Sequence, residues 1–120
     1  MSQYSLVGAY HRPPAKAIIE ALPSGARLTV RPEPDNQFDP NALQVLVQPS
    51  EIPEGEYEEL GQKVEGYGFD LNQVLAASEW HLGYIPRVDA EVLAPQFGGH
   101  ARPAKLGFDG KGKPLVVLND

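Results

Sequence analysis

The sequence predicts a mainly β fold, a small β-barrel or strongly bent sheet of five or six strands with two or three short helices. Three observations lead there. Short stretches of alternating or β-branched residues recur along the chain, and Pro- and Gly-rich turns separate them. The length of 120 residues, at 42% hydrophobic composition, suits a single domain with one core.

The elements can be justified in order. Residues 4–10 (YSLVGAY) are apolar and run towards a Pro-Pro pair, which reads as a strand, with His11-Arg12-Pro13-Pro14 as the connection. Proline suits a first helical turn, and residues 15–22 (AKAIIEAL) are helix formers with a Ser24-Gly25 stop beyond them. Residues 27–31 (RLTVR) alternate as a half-buried strand does, and residues 42–47 (ALQVLV) form the strongest strand signal. Residues 48–68 are rich in Pro, Gly and Glu without a sustained period, and read as an acidic insertion, an extended loop or a ragged hairpin. Leu71, Val74, Leu75 and Ser78 share helical spacing within residues 69–80. Residues 80–85 (WHLGYI) make a strand ended by Pro86, and residues 88–97 a short helix broken at Pro95. Residues 102–108 and 114–118 close the fold around the turn DGKGK.

Composition narrows the function classes. There is no cysteine, so disulfides and thiolate metal sites are excluded, which fits a reducing cytoplasm. The first residues lack a signal-peptide pattern and no run of 18 apolar residues occurs, so the expected protein is soluble, cytoplasmic and without a membrane partner. The net charge of −6 argues against a polyanionic partner only until its distribution is considered. Residues 1–31 carry Arg12, Lys16, Arg27 and Arg31 against Glu20 alone, whereas residues 49–80 hold eight acids against Lys63. The acidity is therefore mostly one block, and the framework keeps its cations.

Residues 33–45 (EPDNQFDPNALQV) place three acids and two prolines directly before an apolar strand. Asp and Asn side chains build tight turns by bonding nearby backbone N–H groups, so one reading makes Asp35, Asn36, Asp39 and Asn41 loop builders. A calcium loop is rejected, because Pro40 replaces the required glycine and Leu46 stands where the closing glutamate belongs. His11, His81 and His100 are scattered and make no zinc site. The chain has no phosphate-binding loop, no GxSxG and no cysteine nucleophile; neither catalysis nor a cofactor nor a metal is expected.

Four segments stand in sequence: LVGAYHR, RLTVRPEPDNQFDPNALQVLV, LGYIPR and DAEVLAPQF. In this order they resemble the HIRAN domain, a module found in some DNA repair ATPases and also encoded alone in bacteria and phages. The resemblance covers roughly residues 3–47 and 80–118 and makes residues 1–120 one HIRAN-like domain, with the acidic insertion outside the match. It implies an OB-like or SH3-like barrel that binds single-stranded DNA and holds a free 3′ end, in a repair or replication context. Asp39 then matches the carboxylate that contacts the terminal hydroxyl, Phe38 an aromatic that stacks on a base, and Asn36 a polar contact to the DNA end. Tyr84 matches an aromatic or histidine position and Arg87 a basic one. The early loop has Tyr10-His11-Arg12 where relatives place a basic residue before two aromatics, and Phe108 is a candidate late aromatic. Arg12, Arg31 and Arg87 are the expected phosphate contacts.

Competing readings remain open at this level. Phe38 is either a core plug or an exposed platform, and Arg87 taken alone is an ordinary surface charge. The acidic block is either a solvated loop or a cover over the basic groove. The alternative function is a protein interaction or adaptor domain that uses the acidic surface, for instance towards a repair or replication protein.

Overall fold

In the computed structural model, which describes residues 1–119, the alternating stretches become one sheet of six antiparallel strands. These are β1 (Ser2–Ser5), β2 (Arg27–Pro32), β3 (Leu43–Val47), β4 (Trp80–Tyr84), β5 (Arg102–Phe108) and β6 (Pro114–Leu118), in the spatial order β1-β6-β5-β2-β3-β4. Four short helices lie between them: α1 (Ala15–Ala21), α2 (Tyr57–Glu65), α3 (Leu71–Ala76) and α4 (Arg87–Phe97). The sheet curls into a half-barrel, consistent with the OB-like expectation. No helix among the described residues is long and apolar enough to cross a membrane.

Alternation decides what the concave side holds. Leu28 and Val30 of β2, Leu43, Val45 and Val47 of β3, Ala104 and Leu106 of β5, and Val116 and Leu118 of β6 are all buried in one cluster. Ile18 and Ile19 of α1, Leu60 and Val64 of α2, and Val74 of α3 join the same cluster. Among the described residues no polar or charged side chain is buried, so the core depends on apolar burial alone. A capping box between Asp70 and Gln73 starts α3, and the Trp80 indole N–H donates to the Val74 carbonyl at 2.8 Å, tying α3 to the start of β4.

The curl is closed at one point. The register of β3 and β4 shifts between Val45 and Leu46, because Val45 faces Gly83 while Leu46 faces His81, leaving Leu82 as an extra residue in β4. A bulge of this kind bends its strand and increases the local twist. Tyr84 is thereby brought to Val7, just past β1, where the Val7 N–H donates to the Tyr84 carbonyl at 2.9 Å and the Tyr84 N–H to the Val7 carbonyl at 2.8 Å. The two ends of the strand order are joined through this bridge. Gly83 makes it possible: its φ is +152°, and a Cβ there would stand 2.3 Å from the Val7 carbonyl oxygen.

Several expectations need correction. The first strand stops at Ser5 instead of reaching Tyr10, because Gly8 takes a left-handed conformation (φ 86°) and turns the chain into a 3₁₀ turn over Ala9–His11. The acidic insertion is not a loop; residues 57–65 form α2, which buries Leu60 and Val64 against the core. That raises the helix count from the expected two or three to four. Pro95 does not break the last helix. It stands inside α4 two residues from its end, where its missing N–H leaves only the Glu91 carbonyl without its usual helical donor.

Gly83→Ala is expected to destabilise the fold by about 2–3 kcal/mol, through backbone strain and displacement of Val7. Urea unfolding followed by tryptophan fluorescence measures this. An unchanged midpoint would show that Val7 is not held against residue 83.

Candidate functional site

The point of closure also collects the candidate residues. Arg12, Asn36, Phe38, Asp39, Tyr84 and Arg87 line one open cleft of about 410 Å³, together with Val7, Ala42 and Ile85. They come from four places: the segment after β1, the loop between β2 and β3, the end of β4 and the first turn of α4.

The β2–β3 loop turns its polar groups mostly on itself. The Asn36 carboxamide oxygen accepts the N–H groups of Phe38 and Asp39 at 2.9 and 3.0 Å, and its NH₂ donates to Glu33 Oε1 at 2.6 Å. Asp39 Oδ1 accepts the Asn41 N–H at 2.9 Å, and the Asp39 carbonyl accepts that of Ala42 at 3.0 Å. Asn36 is thus a loop builder with little bonding capacity left for a ligand. Asp39 retains its second oxygen, which lies 4.0 Å from Arg87 Nε, and its side chain is only 15% exposed.

Phe38 is carried on this frame with 88% of its surface exposed, which excludes the core-plug reading. Arg87 opens α4, is 71% exposed and also lies 3.9 Å from Glu91. An exposed aromatic face, guanidinium groups and a carboxylate with one oxygen unused by the loop can stack on a planar ring and bind an anion beside a hydroxyl donor.

Behind these residues, Tyr84 joins the two sides of the cleft. Its hydroxyl donates to Glu33 Oε1 at 3.0 Å and accepts from Arg12 Nη2 at 2.9 Å. Burial and the bond to Glu33 both raise its pKa above the ordinary tyrosine value. The His81 ring meets Tyr84 edge to face with centroids 4.8 Å apart. In a regular strand residues three apart face opposite sides, so the extra residue Leu82 is what brings these two rings together. His81 Nε2 lies 2.9 Å from the Gly83 carbonyl. Burial, then the charge of Arg12, hold its pKa below the usual histidine value.

Other candidates lie elsewhere. Tyr10 and His11 do not line the cleft; the 3₁₀ turn carries them away, and Tyr10, 80% exposed, lies under the Lys16 ammonium at 4.8 Å. Arg31 forms a two-pronged ion pair with Glu79 at 2.8 and 3.1 Å, and Phe108 is not part of the cleft either. No residue of the acidic block lines the cleft. α2 packs near α1 and α3, with Lys63 3.7 Å from Glu20 and 3.4 Å from Glu59, while Glu51 accepts the Arg27 backbone N–H at 2.7 Å.

Sequence reasoning missed Glu33 and His81. Nothing local pairs Glu33 with a tyrosine 51 positions away, whereas Gly83 inside a strand was a usable sign of the bulge that turns His81 towards Tyr84.

No family model and no curated protein matches this chain. Among solved structures, the chain is similar to a protein from Lactobacillus plantarum whose crystal structure was determined by a structural genomics consortium. The two share 18% identity, over 98% of this chain and 89% of that one, with a TM-score of 0.63. This likeness establishes a shared fold.

His81 gives the site a pH signature. Its pKa in the folded protein lies below the ordinary 6.5, so the unfolded chain takes up the proton first, and stability falls as the pH drops through 6.5 towards the folded value. Below the folded value this loss is complete. His81→Asn is expected to flatten the decline in urea midpoint between about pH 7.5 and pH 5.5. An equal decline in both proteins would assign it to groups other than His81; Glu79, whose pKa is lowered first by its bond to Arg31, loses its contribution only below the ordinary carboxylate value and so outside this window.

Proposed function

We propose that this chain is a HIRAN-type module that binds single-stranded DNA without catalysis and holds its free 3′-hydroxyl end. The observation that carries the reading is the convergence of Arg12, Phe38, Asp39, Tyr84 and Arg87 on one open cleft, with Phe38 exposed to solvent. Stacking on an exposed aromatic stabilises single-strand binding by about 1–3 kcal/mol per base, and tolerates any base because each has a π face.

Arg12 and Arg87 supply the phosphate contacts. Asp39 accepts from the terminal hydroxyl through the oxygen that the loop leaves unused. A 3′ phosphate would instead bring an anion against that carboxylate. The role of such a module, in the resemblance that motivates this reading, belongs to DNA repair or replication in the cytoplasm.

A second reading, a protein adaptor, draws on the face of α2 that keeps Glu58, Glu59 and Glu65 exposed. Its support is charge alone, and the first reading has both charge and a shaped cleft.

Fluorescence anisotropy with a short labelled single strand, ending in a 3′ hydroxyl or a 3′ phosphate, tests the proposal. The hydroxyl strand should bind more tightly, and Asp39→Ala should erase the difference. Phe38→Ala should weaken both strands by about 1–3 kcal/mol, roughly fivefold or more. With Arg12 and Arg87 each neutralising one phosphate, log K should fall against log salt with a slope of about −1.4. Binding to neither strand would favour the adaptor reading.

A further inference from the structure

Arg12 is a half-buried guanidinium in the cleft, and among the described residues no carboxylate lies within ion-pair distance of it. The nearby acid is Glu33, and the Tyr84 hydroxyl stands between the two, accepting from Arg12 at 2.9 Å and donating to Glu33 at 3.0 Å. The Tyr84 hydroxyl has a single proton, and that proton is committed to Glu33. Tyr84 therefore has no proton to donate to a ligand. Glu33 is itself held in place by the Asn36 NH₂ at 2.6 Å.

We infer that Arg12 is the anion-gripping residue of the cleft and that the Tyr84 hydroxyl acts as a spacer that keeps Arg12 from collapsing into a direct ion pair with Glu33. The inference rests on the single-strand reading for its ligand, a backbone phosphate, and assigns that ligand's main contact.

The physical reason for a spacer follows from the geometry of arginine. A guanidinium offers five N–H donors in a rigid fork, and a carboxylate met directly takes two of them along the edge best suited to a phosphate. With a phenol between, one N–H is used and the others stay available. The countercharge remains one hydroxyl away, which lowers the cost of holding a cation that is partly removed from water. Arg87 is less specialised, being widely exposed and shared between Asp39 and Glu91 at 4.0 and 3.9 Å.

Removing the spacer and removing the charge behind it should not be independent. Tyr84→Phe leaves the backbone bridge to Val7 in place but lets Arg12 reach Glu33. Binding of a short thymidine oligonucleotide is expected to weaken by about fivefold, the order of one ion pair. Glu33→Gln keeps an acceptor for the hydroxyl and should bind at least as tightly as the wild type. In that background Tyr84→Phe should change affinity by less than about twofold, since no carboxylate is left to capture Arg12.

Equal losses from Tyr84→Phe in both backgrounds would mean that Tyr84 touches the ligand itself, and weaker binding by Glu33→Gln would mean that the Glu33 charge assists binding; either result overturns the inference. The ¹⁵N-detected Nε–Hε resonance of Arg12, followed during addition of inorganic pyrophosphate, separates the two levels of the reading. If the oligonucleotide does not bind but pyrophosphate shifts this resonance in the wild type and not in Tyr84→Phe, the DNA reading fails and the spacer stands. If neither ligand moves it, both fall.

Discussion

The site depends on one close approach of two backbones. Val7 can lie against Tyr84 only because residue 83 has no side chain, its Cβ position being filled by the Val7 carbonyl. That contact closes the curled sheet, and it gathers three stretches distant in sequence. The chain leaves Val7 for the turn that holds Arg12, and it leaves Tyr84 for Pro86 and the first turn of α4 with Arg87. The β2–β3 loop arrives beside them because β3 pairs with β4, and Gln44 is the direct neighbour of Tyr84. A cleft between strand ends and loops is the geometrical result of joining the sheet at this seam.

The polar residues of the β2–β3 loop divide into two sets with different tasks. Asn36 and the first oxygen of Asp39 hold backbone amides, so the acid- and amide-rich sequence is largely a scaffold. Phe38 and the second oxygen of Asp39 remain for other contacts. A loop that borders an apolar strand can therefore be rich in polar side chains without burying any unsatisfied group, since its surplus acceptors are matched by its own N–H donors.

Where the sequence could be read, a regular period or a bounded apolar run made it readable. The strand over residues 27–31 announces itself by alternation, those over 42–47, 102–108 and 114–118 by apolar, β-branched content and a glycine-rich turn, and α1 by its run of helix formers between Pro14 and Gly25. Composition misled at α2: Tyr57, Leu60 and Val64 carry a helical spacing, but the surrounding glutamates and glycines mask it, and only docking on α1 gives those apolar residues a place to be buried. The family resemblance puts Tyr10 and His11 in the site, whereas the left-handed Gly8 turns the chain and leaves both outside the cleft. The relation of Glu33 to Tyr84 has no local sign, because it exists only once the sheet is curled.

Position 38 stands apart from all of this. The loop is held by the side chain of Asn36 and by backbone groups on either side, while the ring of Phe38 extends into solvent and supports nothing within the fold. Stability and surface chemistry are thus assigned to different residues only two places apart. Such a position is evolvable: a chain can exchange the residue there, and so alter what its surface prefers to touch, while the scaffold that presents it keeps the same shape.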